Sequence, residues 1–218
     1  MMFRNILLRS YLAEFLGTYA LVFFGCGSMI LNELNPSAIS VDSIPIIFGL
    51  IITIMIYSLG NISGAHFNPA VSFVFYKNND INITELFSFT LSQLTGAVLA
   101  SFSHKYFFGN QHSFGMTINK LTLTQGFLLE VLITTFLVLT IFCVAKDKGN
   151  SKLIAGLSIG SMVAVCSFVA GPFTGASMNP ARSIGPALLA FDFNGILIYI
   201  LGPLIGSFIG LQIYKILK

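Results

Sequence analysis

The chain has 218 residues, 55% of them hydrophobic and only 9% charged, with a formal net charge of +3. Soluble domains carry about 25% charged residues, so this composition excludes a water-soluble fold. The positive balance is too small and too scattered for a nucleic-acid-binding surface.

A bilayer core of about 30 Å takes roughly 20 helical residues. Six stretches qualify, at about 12–31, 44–60, 84–104, 124–145, 153–170 and 196–215. The first follows Arg4 and Arg9 as the apolar region of a signal peptide would. It contains Glu14, however, and lacks a small-x-small cleavage site, so it reads as a retained span. Between the second and third spans stands a polar segment, Ser63-Gly64-Ala65-His66-Phe67-Asn68-Pro69-Ala70-Val71-Ser72. A polar link around Gly109–Lys120 and a loop at Lys146–Lys152 separate the later spans.

After the fifth span, the stretch 171–195 is too interrupted by Gly and Pro to cross the bilayer. It carries Thr174-Gly175-Ala176-Ser177-Met178-Asn179-Pro180-Ala181-Arg182-Ser183. Both polar segments read hydroxyl-Gly-Ala-x-x-Asn-Pro-Ala-x-Ser, about half a chain apart. One Asn-Pro-Ala alone is a weak signal, because Asn-Pro turns are common. Two copies inside so apolar a chain read as two halves of one pore.

The rest of the chain repeats as well. Glu14-Phe-Leu-Gly-Thr18 in the first span answers Glu130-Val-Leu-Ile-Thr134 in the fourth. The expected organisation is one membrane domain over 1–218, with a first repeat at about 1–110 and a second at about 120–218. Three spans per half is an odd number, so the halves lie inverted in the membrane, as in other inverted-repeat permeation proteins. Arg4, Arg9, Lys77, Lys146, Lys148, Lys152, Lys215 and Lys218 fall on the side of both termini, against Lys105 and Lys120 opposite. That asymmetry places both termini in the cytoplasm.

Asn68 and Asn179 are good N-caps, and the proline after each is favoured in a first helical turn. Each therefore starts a half-helix of about 8 residues, or 12 Å at 1.5 Å per residue. The residues before them, Ser63–Phe67 and Thr174–Met178, read as extended. Unpaired carbonyls there are tolerable at membrane depth only beside a wet cavity. Gly64, Ala65, His66, Gly175 and Ser177 are the expected lining of that cavity. The asparagine amides donate to a passing oxygen, and two helix N-termini contribute roughly +0.5 charge each. Such a centre passes neutral hydroxylated molecules and opposes cations and proton wires.

The motifs Ala13-Glu14-Phe15-x-Gly17-Thr18, Ser63 to Ala70 and Gly175 to Pro186 resemble the aquaporin (major intrinsic protein) family over essentially the whole chain. The stretch Gly175 to Ala187 is especially similar to its nodulin-26-like branch. The resemblance implies an all-α membrane fold of six spans plus two re-entrant half-helices in inverted repeats. It also implies four subunits, each with its own pore, and passage of water, glycerol-like polyols or metalloid hydroxides. It implies an outer constriction formed by Phe48, Ser167, Ala176 and Arg182. Ser167 departs from the histidine of strictly water-selective members, and Ser183 from the aspartate of glycerol facilitators, so the constriction reads as intermediate and wide. Glu14 and Glu130 are implied to brace the two polar segments from behind.

Arg182 is also a candidate on its own terms, because an intramembrane charge marks function by default. His66 is expected at the cytoplasmic pore mouth. His104 and His112 are expected to be solvated beside the outer loop. Gly17, Gly49, Gly96, Gly156 and Gly206 are expected at close helix crossings. Cys26, Cys143 and Cys166 stand singly in apolar runs and read as buried core. Three dispersed histidines and three dispersed cysteines offer no metal, cofactor or catalytic set. Two alternatives stay open here, a strictly water-selective channel and a secondary transporter with inverted repeats. Short loops and termini point to a bacterial inner membrane.

Overall fold

The structure is a computed structural model that describes residues 2–110, 113–145 and 151–218, the first five of these by their backbone alone. His112, Lys146 and Lys148, which entered the loop and charge readings, lie outside the described residues. The described residues form helices α1 (Met2–Ala20), α2 (Gly27–Leu34), α3 (Ser43–Ser63), α4 (Pro69–Lys77), α5 (Ile83–Phe108), α6 (Leu123–Ala145), α7 (Lys152–Thr174), α8 (Pro180–Ala190) and α9 (Ile196–Leu217). A π-helical segment, Leu21–Cys26, joins α1 to α2 without a break. Among the described residues six segments are long and apolar enough to cross a membrane: Leu7–Leu34, α3, α5, α6, α7 and α9.

The protein is all-α, with the two short helices α4 and α8 between spans. They have 9 and 11 residues, slightly longer than the half-helices expected from the sequence. Large apolar side chains such as Leu50, Phe87, Leu128 and Val169 point outward, while Glu14, Gln93, Glu130 and Arg182 are fully or almost fully buried. That inversion follows from a lipid solvent, in which charges face the interior of the bundle. Cys143 belongs to the outward face rather than the core, unlike Cys26 and Cys166.

The helices pair in matching fashion in the two halves. α1 packs on α5, and α6 packs on α9. A Cβ on Gly96 would stand 2.4 Å from the Phe15 carbonyl, and one on Gly206 would stand 2.3 Å from that of Val131. The halves join where α3 crosses α7. There a Cβ on Gly49 would lie 2.6 Å from the Gly160 carbonyl, and one on Gly160 would lie 2.4 Å from that of Gly49. Gly17 has a different role from the helix crossing expected of it: its missing side chain seats the Phe67 ring.

Candidate functional site

Both polar segments are built the same way. α3 ends at Gly64 (φ 89°) and α7 at Gly175 (φ 78°), each a left-handed glycine closing the helix. Four residues later Asn68 and Asn179 take extended backbone and start α4 and α8. The Asn68 Oδ1 accepts from Ala70 N at 2.9 Å, and the Asn179 Oδ1 from Ala181 N at 3.0 Å.

The residues between are not extended as the sequence reading expected. Ala65 (φ 56°), Phe67 (φ 50°), Ala176 (φ 44°) and Met178 (φ 52°) are all left-handed. The cause is the carboxylate behind each segment. Two successive N–H groups must point to one side, which alternation of left-handed residues achieves and an extended strand does not. Glu14 accepts from His66 N at 2.9 Å, Phe67 N at 2.7 Å and Ser63 Oγ at 2.6 Å. Glu130 accepts from Ser177 N at 2.9 Å, Met178 N at 2.9 Å and Thr174 Oγ1 at 2.7 Å. Left-handed non-glycine residues cost of order 1–3 kcal/mol each and persist where the surroundings over-determine them.

Two helpers escaped the sequence reading. Gln93 of α5 donates to Glu14 Oε2 at 2.8 Å and to Ser72 Oγ at 2.9 Å. Tyr199 of α9 donates to the Thr174 carbonyl at 2.9 Å. Their signal was a polar group inside a span, the same one that picked out Glu14 and Glu130.

The segments meet head to head, at the asparagines that start α4 and α8. Asn68 Nδ2 donates to the Met178 carbonyl at 2.8 Å, and Asn179 Nδ2 donates to the Phe67 carbonyl at 2.9 Å. An amide nitrogen has two hydrogens, so each asparagine spends one on the opposite segment and keeps one for another acceptor. A cavity of about 330 Å³ runs past both asparagines.

Gly64, Ala65, His66 and Ser177 line that cavity, as do Phe48, Ser167, Ala176 and Arg182. Gly175 stands behind it, where a Cβ would come 3.0 Å from Thr117 Cα. The Arg182 guanidinium lies over the Phe48 ring, 5.2 Å from its centroid, and its Nη1 donates to the Gly115 carbonyl at 2.8 Å. The His66 Nδ1 pairs with Ser72 Oγ at 3.1 Å, with the ring against Phe75.

The stretch 113–122, read from sequence only as a polar link, folds onto this site. Besides Gly115, it brings Thr117 Oγ1 to Ser183 Oγ at 2.9 Å and Lys120 N to the Phe173 carbonyl at 2.8 Å. His104 is not solvated as expected. It is fully buried, and its Nε2 pairs with the Phe23 carbonyl in the π segment at 2.9 Å.

Comparison with known proteins agrees with this geometry. The family model described as major intrinsic protein matches residues 2–214. The chain is 39% identical over 212 residues to Nodulin-26 from Glycine max, covering 97% of this chain and 78% of that protein. It is 36% identical over 212 residues to Aquaporin NIP1-1 from Zea mays, covering 97% and 75%. The solved aquaglyceroporin of Plasmodium falciparum superposes with a TM-score of 0.86 over 96% of both chains at 24% identity, a likeness of fold. Both sequence relatives are plant proteins, so the bacterial inner membrane expected from short loops is withdrawn.

Proposed function

This chain belongs to the major intrinsic protein family, and we propose that it is a passive transmembrane channel whose constriction admits glycerol-like polyols and metalloid hydroxides as well as water. The observation that carries the reading is the cavity of about 330 Å³ that passes Asn68 and Asn179 and is bounded by Phe48, Ser167, Ala176 and Arg182.

In this reading Asn68 and Asn179 each offer their second amide hydrogen to a solute oxygen. The N-termini of α4 and α8 add partial positive charge at the same depth. A solute oxygen held by donors leaves its own hydrogens facing away, which breaks a proton wire. Arg182 supplies the full charge that repels cations and the donors that receive a hydroxyl. Ser167 and Ala176, both small, leave width for a carbon chain beside Phe48.

Glu14 and Glu130 hold the segments in place, and this favours a channel over a proton-coupled transporter or an enzyme. Their carboxylate oxygens already receive the N–H groups of the segments. Lys77, Lys152, Lys215 and Lys218 support placing both termini in the cytoplasm. Family membership supports assembly as a homotetramer in the bilayer, with one pore in each subunit.

Stopped-flow shrinkage of proteoliposomes challenged with sucrose, glycerol and urea tests the proposal. Fast water efflux followed by glycerol re-entry is the expected record. Water efflux with no glycerol re-entry would sink the wide constriction and leave a water-selective channel.

A further inference from the structure

We infer that Met29, which stands outside the cavity lining, is a positioning residue for the outer constriction and sets the place of the Arg182 guanidinium through its thioether sulfur. The inference rests on reading Arg182 as part of that constriction. An arginine holds five donors in one rigid plane. Here Nη1 donates to the Gly115 carbonyl at 2.8 Å, and Nη2 reaches Met29 Sδ at 3.0 Å. The buried Nε has no protein partner. The guanidinium is thus fixed at two corners, one by a strong acceptor and one by a weak, polarizable one. Neither acceptor belongs to Phe48, Ser167 or Ala176.

The fold holds Met29 at this place from two directions. Met29 stands on α2, beyond the π-helical segment Leu21–Cys26, and a π-helical turn rotates the helix beyond it relative to the helix before it. The same π segment seats the other wall of the constriction, because a Cβ on Gly25 would strike the Phe48 ring at 2.3 Å. One turn beyond Met29, Glu33 accepts from Ser113 N at 3.1 Å and Ser113 Oγ at 2.8 Å. Ser113 opens the loop that delivers the Gly115 carbonyl. One face of α2 therefore grips Arg182 directly through Met29 and indirectly through Glu33, Ser113 and Gly115.

Leucine at position 29 keeps the bulk and accepts nothing. The guanidinium then pivots on its Gly115 bond toward the lumen and narrows the passage for the larger solute. Glutamine keeps the length and offers a better acceptor than sulfur. Water and glycerol permeabilities of wild type, Met29→Leu and Met29→Gln in proteoliposomes, normalised to channel content, test this. Met29→Leu is expected to lower the glycerol-to-water ratio by roughly threefold, the scale of losing one modest hydrogen bond. Met29→Gln is expected to match or exceed wild type.

A purely structural role would move both variants alike, and equal shifts, or none, overturn the inference. If wild type passes water but no glycerol, the wide-constriction reading fails by itself. The same comparison is then read in water permeability: a lower value for Leu than for Gln supports Met29, and equality overturns it.

Discussion

The side-chain amide of Asn68 donates to the carbonyl oxygen of Met178 over 2.8 Å, so the first polar segment is fastened to the second across the centre of the molecule. The reciprocal bond from Asn179 to Phe67 makes the fastening double. These bonds tie together segments that the chain order keeps half a sequence apart.

Asn68→Asp replaces that donor with a carboxylate facing a carbonyl. The cap on Ala70 survives, because an aspartate oxygen can take it. The cross-bond does not, and a negative charge enters the centre. Water permeability is expected to fall roughly tenfold, since a displaced centre obstructs the path past the two asparagines. Unchanged flux in proteoliposomes would show that the cross-bond is dispensable.

Glu130→Gln turns one accepting oxygen into a donor that faces the N–H groups of Ser177 and Met178. Leaving a buried donor unmatched costs about 1–3 kcal/mol, more where a charged partner was removed. A lower unfolding midpoint in detergent and loss of water flux are expected together. Glu14→Gln should be the more damaging of the two, because Glu14 also holds Gln93. Equal stability of both variants and wild type would argue against the bracing role.

Ser167→His fills the side of the cavity that a small hydroxyl leaves open. Glycerol permeability is expected to drop at least about tenfold while water is largely spared, as for any pocket that loses room for a carbon chain. Equal glycerol flux in the two forms would place Ser167 away from the constriction.

Gly115→Ala meets two obstacles at once. The residue has φ of 68°, and a Cβ there would lie 2.5 Å from Cys26 Cβ. The loop must lift, which withdraws the carbonyl from Arg182 Nη1. A changed glycerol-to-water ratio is expected with little change in helix content by circular dichroism. An unaltered ratio would mean that Arg182 keeps its place without this loop.

Much of the architecture was legible because lipid imposes a simple rule. Long apolar runs became the six spans, and charges or paired motifs inside them became the centre of the molecule. Glu14, Glu130 and Arg182 stood out for that reason. The π-helical segment did not, since Leu21–Cys26 is a plain apolar run whose partners, Phe48 against Gly25 and His104 on the Phe23 carbonyl, are distant in sequence. The curl of Ala65–Phe67 also escaped, because the cause lies in a carboxylate some fifty residues away. The loop around Gly115 read only as a polar link. Its position is set by Arg182, Ser183 and Phe173, none of which is near in sequence.

The exchange of asparagine bonds between the halves bears on how the molecule is made. The carbonyl of Phe67 takes its hydrogen from Asn179, a residue in the final fifth of the chain. A nascent first half can satisfy Glu14 from its own residues, but the asparagine that bonds this carbonyl is not yet made. Synthesis at about 5–20 residues per second keeps it waiting on the order of ten seconds. Closing the centre therefore waits for the second segment, and a chain that ends before Asn179 lacks the donor for the Phe67 carbonyl.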